Sequence, residues 1–289
     1  MSILFIYANT CVSFWYKYGF EESSDIPNII WTYWHDDNLP KIVNKCIDQW
    51  KKHNPSFTIN VVTKNNINIY FPDFDIKSIR HNDSHARFSD YVRLNLLSKY
   101  GGIWMDATVV CKISWNWIHA YQKNEKTQVI VYYYNNHNGN NNKQLLKTPI
   151  VESWFIACIP NSIVINEWLI EFNRMNDFAT VDYYIQDIIN KNTDLSLITN
   201  NLLNYFAVYV SLQYVMQHKL KNINNYITFL DATNGPYKYL FETNWNTKQS
   251  INKICNINAS NSPIIKIVNA GRKFIENNFE LCEKTLFAL

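Results

Sequence analysis

The carboxylates and cations of this chain that are spaced to do chemistry crowd into HARFSDYVRLNLLSKYGGIWMDATVV, His85 to Val110. On a helix, residues three and four apart share a face, so Ala86, Asp90, Arg93 and Leu97 line up. An acid and a base meet there, beside a small residue that leaves the face open. Asp106 stands differently. It ends the apolar run Ile103-Trp104-Met105, and a carboxylate at the mouth of a buried strand is placed to meet a ligand in the crevice beyond the strand end. For any one of these residues alone, a surface ion pair or a solvated strand end is the simpler reading. Their combination points to a binding site for a polar, charged ligand.

The elements that must position these residues follow from local pattern. Asp83 or Ser84 can cap a helix with the register Phe88, Tyr91, Val92, Leu96, Leu97, and Gly101-Gly102 supplies left-handed residues to end it. A strand follows from Ile103. Upstream, Asp25-Ile26-Pro27 breaks structure and Asn28 to Trp34 reads as a first buried strand. His35 to Asn38 is a polar loop, and Pro40 opens a helix with the stripe Ile42, Val43, Cys46, Ile47, Trp50. Thr58 to Thr63 alternates as a second strand, parallel to the first. Asn65 to Phe71 and Asp75 to Arg80 are short helical candidates.

Downstream, Val109 to Ile113 continues as strand and Ser114 to Tyr121 is expected as an aromatic turn or short helix over the site. Gln128 to Tyr134 and Glu152 to Cys158 read as strands, separated in part by the polar loop Asn135 to Asn142, a candidate lid. Pro160 to Met175, Val181 to Lys191 and Leu202 to Leu220 carry helical periodicity. Tyr226 to Asp231 is strand-like. The class is α/β, with a mixed, mostly parallel central sheet flanked by helices and a more helical C-terminal part.

Composition sets limits on function. A chain of 289 residues with 47% hydrophobic and 16% aromatic residues has ample core for one large domain or two small ones. A net charge of +3, with basic residues scattered, leaves no footprint for nucleic acid. Six cysteines without a C-x-x-C pair speak against a zinc site or a disulfide framework and for reduced core thiols of a cytosolic protein. The apolar stretch Ile3 to Tyr16 lacks a positive flank and is too short to span a bilayer, so a packed element is favoured over a membrane-surface anchor. There is no G-x-G-x-x-G and no P-loop, which excludes the dinucleotide and P-loop classes. The density of Asn, Ile, Lys and Tyr fits an AT-rich genome, bacterial or viral.

The pattern H-A-x-x-S-D-x-x-R-x-x-x-L-x-x-x-G-G-x-x-x-D-A-T, His85 to Thr108, resembles the signature of GT-A fold glycosyltransferases of the capsular polysaccharide synthesis and glycosyltransferase family 32 type. That resemblance implies a single GT-A domain over 1–289, with 25–134 as the nucleotide-sugar half and 150–289 as the acceptor side. It implies a sugar moved from a UDP- or GDP-linked donor to a glycan or polysaccharide acceptor, with retention of configuration. Asp90 and Arg93 would contact the donor sugar, and Asp106 the ribose, diphosphate and a Mn²⁺ or Mg²⁺ ion. Ala86, Ser89, Gly102, Ala107 and Lys266 complete the implied donor site, and Thr32, Tyr33 and Trp34 are implied base contacts, with core packing as the alternative for these three.

Two departures from the family pattern stand out. Asp106-Ala107-Thr108 offers one carboxylate and a hydroxyl where D-x-D is usual, so Asp106 and Thr108 are the metal candidates. Ser262 to Lys266 resembles the C-terminal S-I-H-K-L, but Ile264 or Ile265 fills the histidine position. Glu152 opens a segment similar to the family's N-W-F-I-A; it is a candidate acceptor-binding group or nucleophile, a solvated strand end being the alternative. Asp182, Tyr183, Tyr184 and Asp187 resemble an acceptor-side helix. Peripheral association with the cytoplasmic face of a membrane is compatible with such an activity. An effector acting on a protein, and a degenerate relative that only binds nucleotide sugar, are the other function classes.

Overall fold

The computed structural model describes residues 25–72, 78–82, 84–135, 147–256 and 263–287. The readings of Ile3 to Tyr16, of Asp75 to Lys77 and of the loop after Asn135 fall outside them. Strand β1 (Ile29–Tyr33) starts just after Pro27, and helix α1 (Lys41–His53) starts after Pro40 and buries the expected stripe from Ile42 to Trp50. β2 (Thr58–Val62) then pairs parallel with β1, Ile29 opposite Thr58 and Tyr33 opposite Val62. The short α2 (Ile67–Tyr70) follows.

Helix α3 (His85–Tyr100) is capped by Ser84, whose hydroxyl accepts from the Arg87 amide at 3.1 Å. It stops because Gly101 and Gly102 take φ values of +62° and +92°. Neither position has room for a side chain. A Cβ on Gly101 would lie 2.5 Å from the Pro160 nitrogen, and one on Gly102 would lie 2.6 Å from the Ile29 carbonyl oxygen. This tight turn drops β3 (Gly102–Met105) directly beside β1, parallel to it.

After β3 the chain leaves the main sheet. β4 (Val109–Cys111) pairs antiparallel with β8 (Ile264–Lys266) in a separate two-stranded ribbon, and this brings Lys266 opposite Val109. Helix α4 (Trp117–Glu125) leads into β5 (Val129–Tyr134), which pairs with β6 (Ile150–Cys158) and β7 (Ile227–Asp231). The six-stranded order is β2-β1-β3-β6-β5-β7. Five strands run one way and β6 alone runs against them. The mixed, mostly parallel sheet expected from the sequence is therefore present. It draws strands from both halves of the chain, and the reversed β6 delivers its first residues, not its last, to the edge where β1, β3 and β5 end.

Two apolar layers sandwich the sheet. Helices α3, α5 (Ile163–Arg174), α6 (Val181–Asn190) and α7 (Ala207–Tyr214) cover one face around Phe88, Trp104, Trp168 and Phe172. The predicted long helix from Leu202 is shorter, running on from α7 as a π-helical turn over Val215–Lys219. The other face packs α1 and the β4–β8 ribbon with the C-terminal helices around Trp50, Met105, Trp115 and Phe155. These helices are α8 (Lys238–Glu242), α9 (Thr247–Asn256), α10 (Asn269–Asn277) and α11 (Phe279–Glu283). Among the described residues no helix is long and apolar enough to cross a membrane.

Two expectations are corrected. Ser114 to Tyr121 does not lie over the site: Trp115 is fully buried, packs on Phe155 with ring centroids 5.0 Å apart, and has its backbone tied to Asn54. The apolar load of that segment went into the core. Nor are all the thiols reduced. Cys255 of α9 and Cys282 of α11 form a disulfide, with Cα atoms 4.6 Å apart. Their separation in sequence hid a contact made by two packed helices, whereas Cys46, Cys111 and Cys158 are the buried free thiols expected.

Candidate active site

Where β1 and β3 end and β6 begins, the sheet opens into a crevice of about 730 Å³, a size suited to a small-molecule ligand. Each wall follows from an element just described. The α3 face predicted to stay open supplies Ala86, Ser89, Asp90 and Arg93. The end of β1 supplies Tyr33 and Trp34, the end of β3 supplies Asp106 and Ala107, the start of β6 supplies Glu152, and the end of β8 supplies Lys266. Arg272 arrives on the first turn of α10.

The floor is an ion network. Arg93 Nη1 donates to Asp90 Oδ1 at 2.5 Å and Nη2 to Asp106 Oδ1 at 3.1 Å, so one guanidinium spans helix and strand. Lys266 Nζ donates to Asp106 Oδ2 at 2.5 Å. Trp104 Nε1 adds a bond to Asp106 Oδ1 at 3.2 Å. Arg93 is 5% exposed and its guanidinium lies over the Trp104 ring at 4.8 Å, so it is no surface ion. Asp106 keeps 31% exposure and faces the crevice. Burial works to raise its pKa, but the Lys266 ammonium and the Arg93 guanidinium outweigh burial and hold it at about 2. In Asp90 burial wins over Arg93 and pushes the carboxyl up to about 6.

A second cluster surrounds Glu152, which is 8% exposed. Tyr237 donates its hydroxyl to Glu152 Oε2 at 2.8 Å, and Tyr209 reaches the same oxygen at 3.5 Å. Burial pushes Glu152 up to about 7, against the pull of the Tyr237 bond. Tyr237 is held by the turn after β7, where Asp231 accepts from the Thr233 amide at 2.7 Å and from Asn234 at 2.8 Å. At the β1 side, His35 and His85 stack with centroids 4.1 Å apart, and the Arg272 guanidinium lies 5.1 Å from the centre of the Trp34 ring. The Tyr33 hydroxyl, in the same wall, is buried without a protein partner.

Not every predicted contact reaches the crevice. Thr32 points to the opposite face of β1 from Tyr33 and is fully buried, and Gly102 sits at the start of β3, far from the end that carries Asp106. On α6, Tyr184 bonds Glu171, Asp187 pairs with Arg174 and Lys191, and Asp182 accepts from Asn204. None of these lines the crevice. Tyr209, Tyr237, Tyr205, Trp245, His35, His85 and Arg272 do, and of these His85 alone belongs to the His85 to Thr108 pattern.

The same geometry decides which oxygens are free for a divalent cation. Hard cations require several free oxygen ligands. Both oxygens of Asp106 are taken up by Arg93, Trp104 and Lys266, and the buried Thr108 hydroxyl donates to the Ile267 carbonyl oxygen at 3.0 Å. No group of three His, Cys, Asp or Glu side chains suited to a metal exists among the described residues. The residues present do not fit a Mn²⁺ or Mg²⁺ ion held by Asp106 and Thr108. The floor as built sets two cations, Arg93 and Lys266, against two carboxylates, Asp90 and Asp106.

An α/β sheet with a charged crevice at its strand ends has the build of a protein that binds a polar small molecule there. The chain belongs to the family of capsular polysaccharide synthesis proteins, whose model matches residues 9–194, more than half of its length. Among solved structures, one titled PaToxG glycosyltransferase aligns with 14% identity over 70% of this chain and 83% of that chain. The TM-score of that alignment is 0.38. No curated protein matches the sequence.

Proposed function

We propose that this protein moves a hexosyl group from a UDP- or GDP-linked donor to a hydroxyl of a glycan or polysaccharide acceptor. The observation that carries this reading is the convergence of Arg93 and Lys266 on Asp106 at the crevice floor. Breaking the bond between a sugar and a nucleoside diphosphate leaves negative charge on the departing phosphate. Preorganised cations in a site shielded from water stabilise such charge where it develops. Asp90 and Asp106 together balance Arg93 and Lys266; a diphosphate entering the crevice takes the place of Asp106 at Lys266.

The remaining roles follow from position. Tyr33 and Trp34 flank the nucleotide end at β1, and Asp90, fixed by Arg93, offers its second oxygen to hydroxyls of the donor sugar. Retention of configuration, which the sequence resemblance implies, sets the proton path. The bond from the anomeric carbon to the phosphate oxygen breaks, the acceptor oxygen bonds the same face of that carbon, and the acceptor proton passes to the departing phosphate oxygen. Glu152 then holds the acceptor hydroxyl and forms no bond to the sugar. No metal enters this scheme, because Lys266 and Arg93 meet the phosphate charge.

The test is release of nucleoside diphosphate from a panel of UDP- and GDP-sugars, with EDTA and with added Mn²⁺, and the anomeric proton of the product by NMR. Turnover that persists in EDTA and is lost in Lys266→Ala supports the reading. Turnover abolished by EDTA and restored by Mn²⁺ would remove the metal-free scheme. A rise in melting temperature with nucleotide but no turnover of any donor would leave a nucleotide-sugar-binding protein.

A further inference from the structure

The floor of the crevice accounts for a donor, and one side of the crevice remains unused by it. Along the sheet edge the order is β1, β3, β6, β5. Tyr33 and Trp34 on β1 lie on one side of Asp106, and Glu152 on β6 lies on the other. What surrounds Glu152 is aromatic. From the α7 layer come Tyr205, Phe206 and Tyr209, with ring centroids 5.0 Å apart at each step. From the layer on the opposite face of the sheet come Tyr134, Tyr237 and Trp245, with Trp245 placed 5.4 Å from Tyr237 and 6.0 Å from Tyr134.

Both clusters are built alike. In each, an inner tyrosine, Tyr209 or Tyr237, reaches the Glu152 carboxylate. In each, an outer ring lines the crevice yet stays open to water: Tyr205 is 64% exposed and Trp245 is 43% exposed. Several large apolar side chains are exposed among the described residues, and Tyr205 and Trp245 are the two of them that line the crevice. Both rings are also held in place. Asn204, just before Tyr205, is gripped by Arg87 at 2.8 Å and itself grips Asp182 at 2.9 Å. Asn244 and Trp245 adopt left-handed backbone angles, φ +49° and +60°. For a residue as bulky as Trp this conformation is rare, and it is sustained here by the Trp245 amide donating to the Leu240 carbonyl at 2.7 Å.

We infer that Tyr205 and Trp245 form the walls, and Glu152 the floor, of a subsite that takes a pyranose ring of a carbohydrate acceptor. This rests on the transferase reading and deepens it. A pyranose has two flat apolar C–H faces and a polar equatorial rim. Exposed aromatic rings match the faces, and a carboxyl group at the floor matches a hydroxyl of the rim. A peptide acceptor is disfavoured by the same geometry. Extended peptides are commonly captured by adding a strand to an open sheet edge, and the edge strands β2 and β7 contribute nothing to the crevice.

Steady-state transfer to a panel of p-nitrophenyl hexosides, run beside a Ser/Thr-containing peptide and beside a no-acceptor control, tests the subsite. Tyr205→Ala is expected to raise the acceptor KM about tenfold, and to raise it more than the donor KM, with Tyr205→Phe restoring most of the loss. Trp245→Ala is expected to act in the same direction and Trp245→Phe to recover it. Because Trp245 also packs on its neighbours, the solvent-exposed Tyr205 pair decides the matter if Trp245→Ala does not fold. An unchanged acceptor KM in Tyr205→Ala, or an equal rise in both KM values, overturns the subsite. So does donor hydrolysis without transfer to any hexoside, and a peptide used in preference to every hexoside overturns its carbohydrate character. Failure to consume any donor in the control falls on the transferase reading instead.

Discussion

The two ends of the crevice are built on opposite principles. At the α3 and β3 end, Asp90, Arg93, Asp106 and Lys266 hold each other by charge, and three of the four come from one short stretch of chain. At the β6 end a single buried carboxyl, Glu152, is satisfied by neutral hydroxyls from two distant segments and ringed by aromatic side chains. The first end is a network of two cations and two carboxylates, the part of the crevice where the proposed donor diphosphate would meet Lys266. The second has no cation bonded to its carboxyl and suits a neutral, hydroxyl-bearing ligand. A transferase needs both kinds of surface side by side, and the reversal of β6 is what sets them on one edge.

Substitutions that respect this division should separate the two ends. The largest effect is expected from Lys266→Ala, which removes the cation that faces Asp106; kcat should fall by about 10²–10³ with Mn²⁺ unable to restore it, measured as nucleoside diphosphate release. Lys266→Arg should recover part of the rate. Asp90→Asn should cost roughly ten- to a hundredfold in discrimination between donor sugars, while nucleotide affinity by calorimetry changes little. Equal losses in both would place Asp90 outside sugar contact and break the comparison at its charged end.

At the aromatic end the signature is in pH. Glu152 is held at about 7 in the folded chain against an ordinary value of 4.5, so between these values the folded protein binds more protons than the unfolded one. Its contribution to stability is present below pH 4.5 and is lost as pH rises through 7, a swing of at most roughly 3 kcal/mol. Asp106 runs the other way. Held near 2 against 3.8, it contributes stability above pH 3.8 that is lost as pH falls through 2. Chemical denaturation of Glu152→Gln across pH 4.5–7 should therefore show a flatter profile than the parent, and an unchanged slope would contradict the burial described for this carboxyl. The smallest effect is expected for Thr108→Val. Losing one buried hydrogen bond to Ile267 should cost about 1 kcal/mol by thermal melting, with no change in the response of activity to Mn²⁺.

How much of this was legible before the structure follows the same division. The charged end was readable because its information is local: helical spacing sets Asp90 against Arg93, and two glycines set the turn into β3. Where local reasoning failed, it failed by geometry. Thr32 neighbours Tyr33 in sequence, but successive strand residues face opposite ways, and Thr32 went into the core. Gly102 belongs to the turn and not to the site. The aromatic end was opaque because Tyr205, Tyr209, Tyr237 and Trp245 meet Glu152 only through the sheet order and the antiparallel sense of β6, neither of which any window of sequence encodes. The Cys255–Cys282 pairing was hidden because it is made by the packing of α9 against α11, 27 residues apart in sequence.

One consequence of the Asp106 contacts concerns what the crevice ignores. Chloride, acetate and similar singly charged ions abound around any protein, and a bare pair of cations would collect them. Here both cations already have a tethered carboxylate as counter-ion, at an effective concentration no dissolved monoanion can match. A visitor gains by displacing it only if it brings more charge than Asp106 does. Under the proposed function the resident carboxylate thus works as a threshold on ligand valence, keeping the site quiet toward ambient salt and open to the diphosphate of the proposed donor.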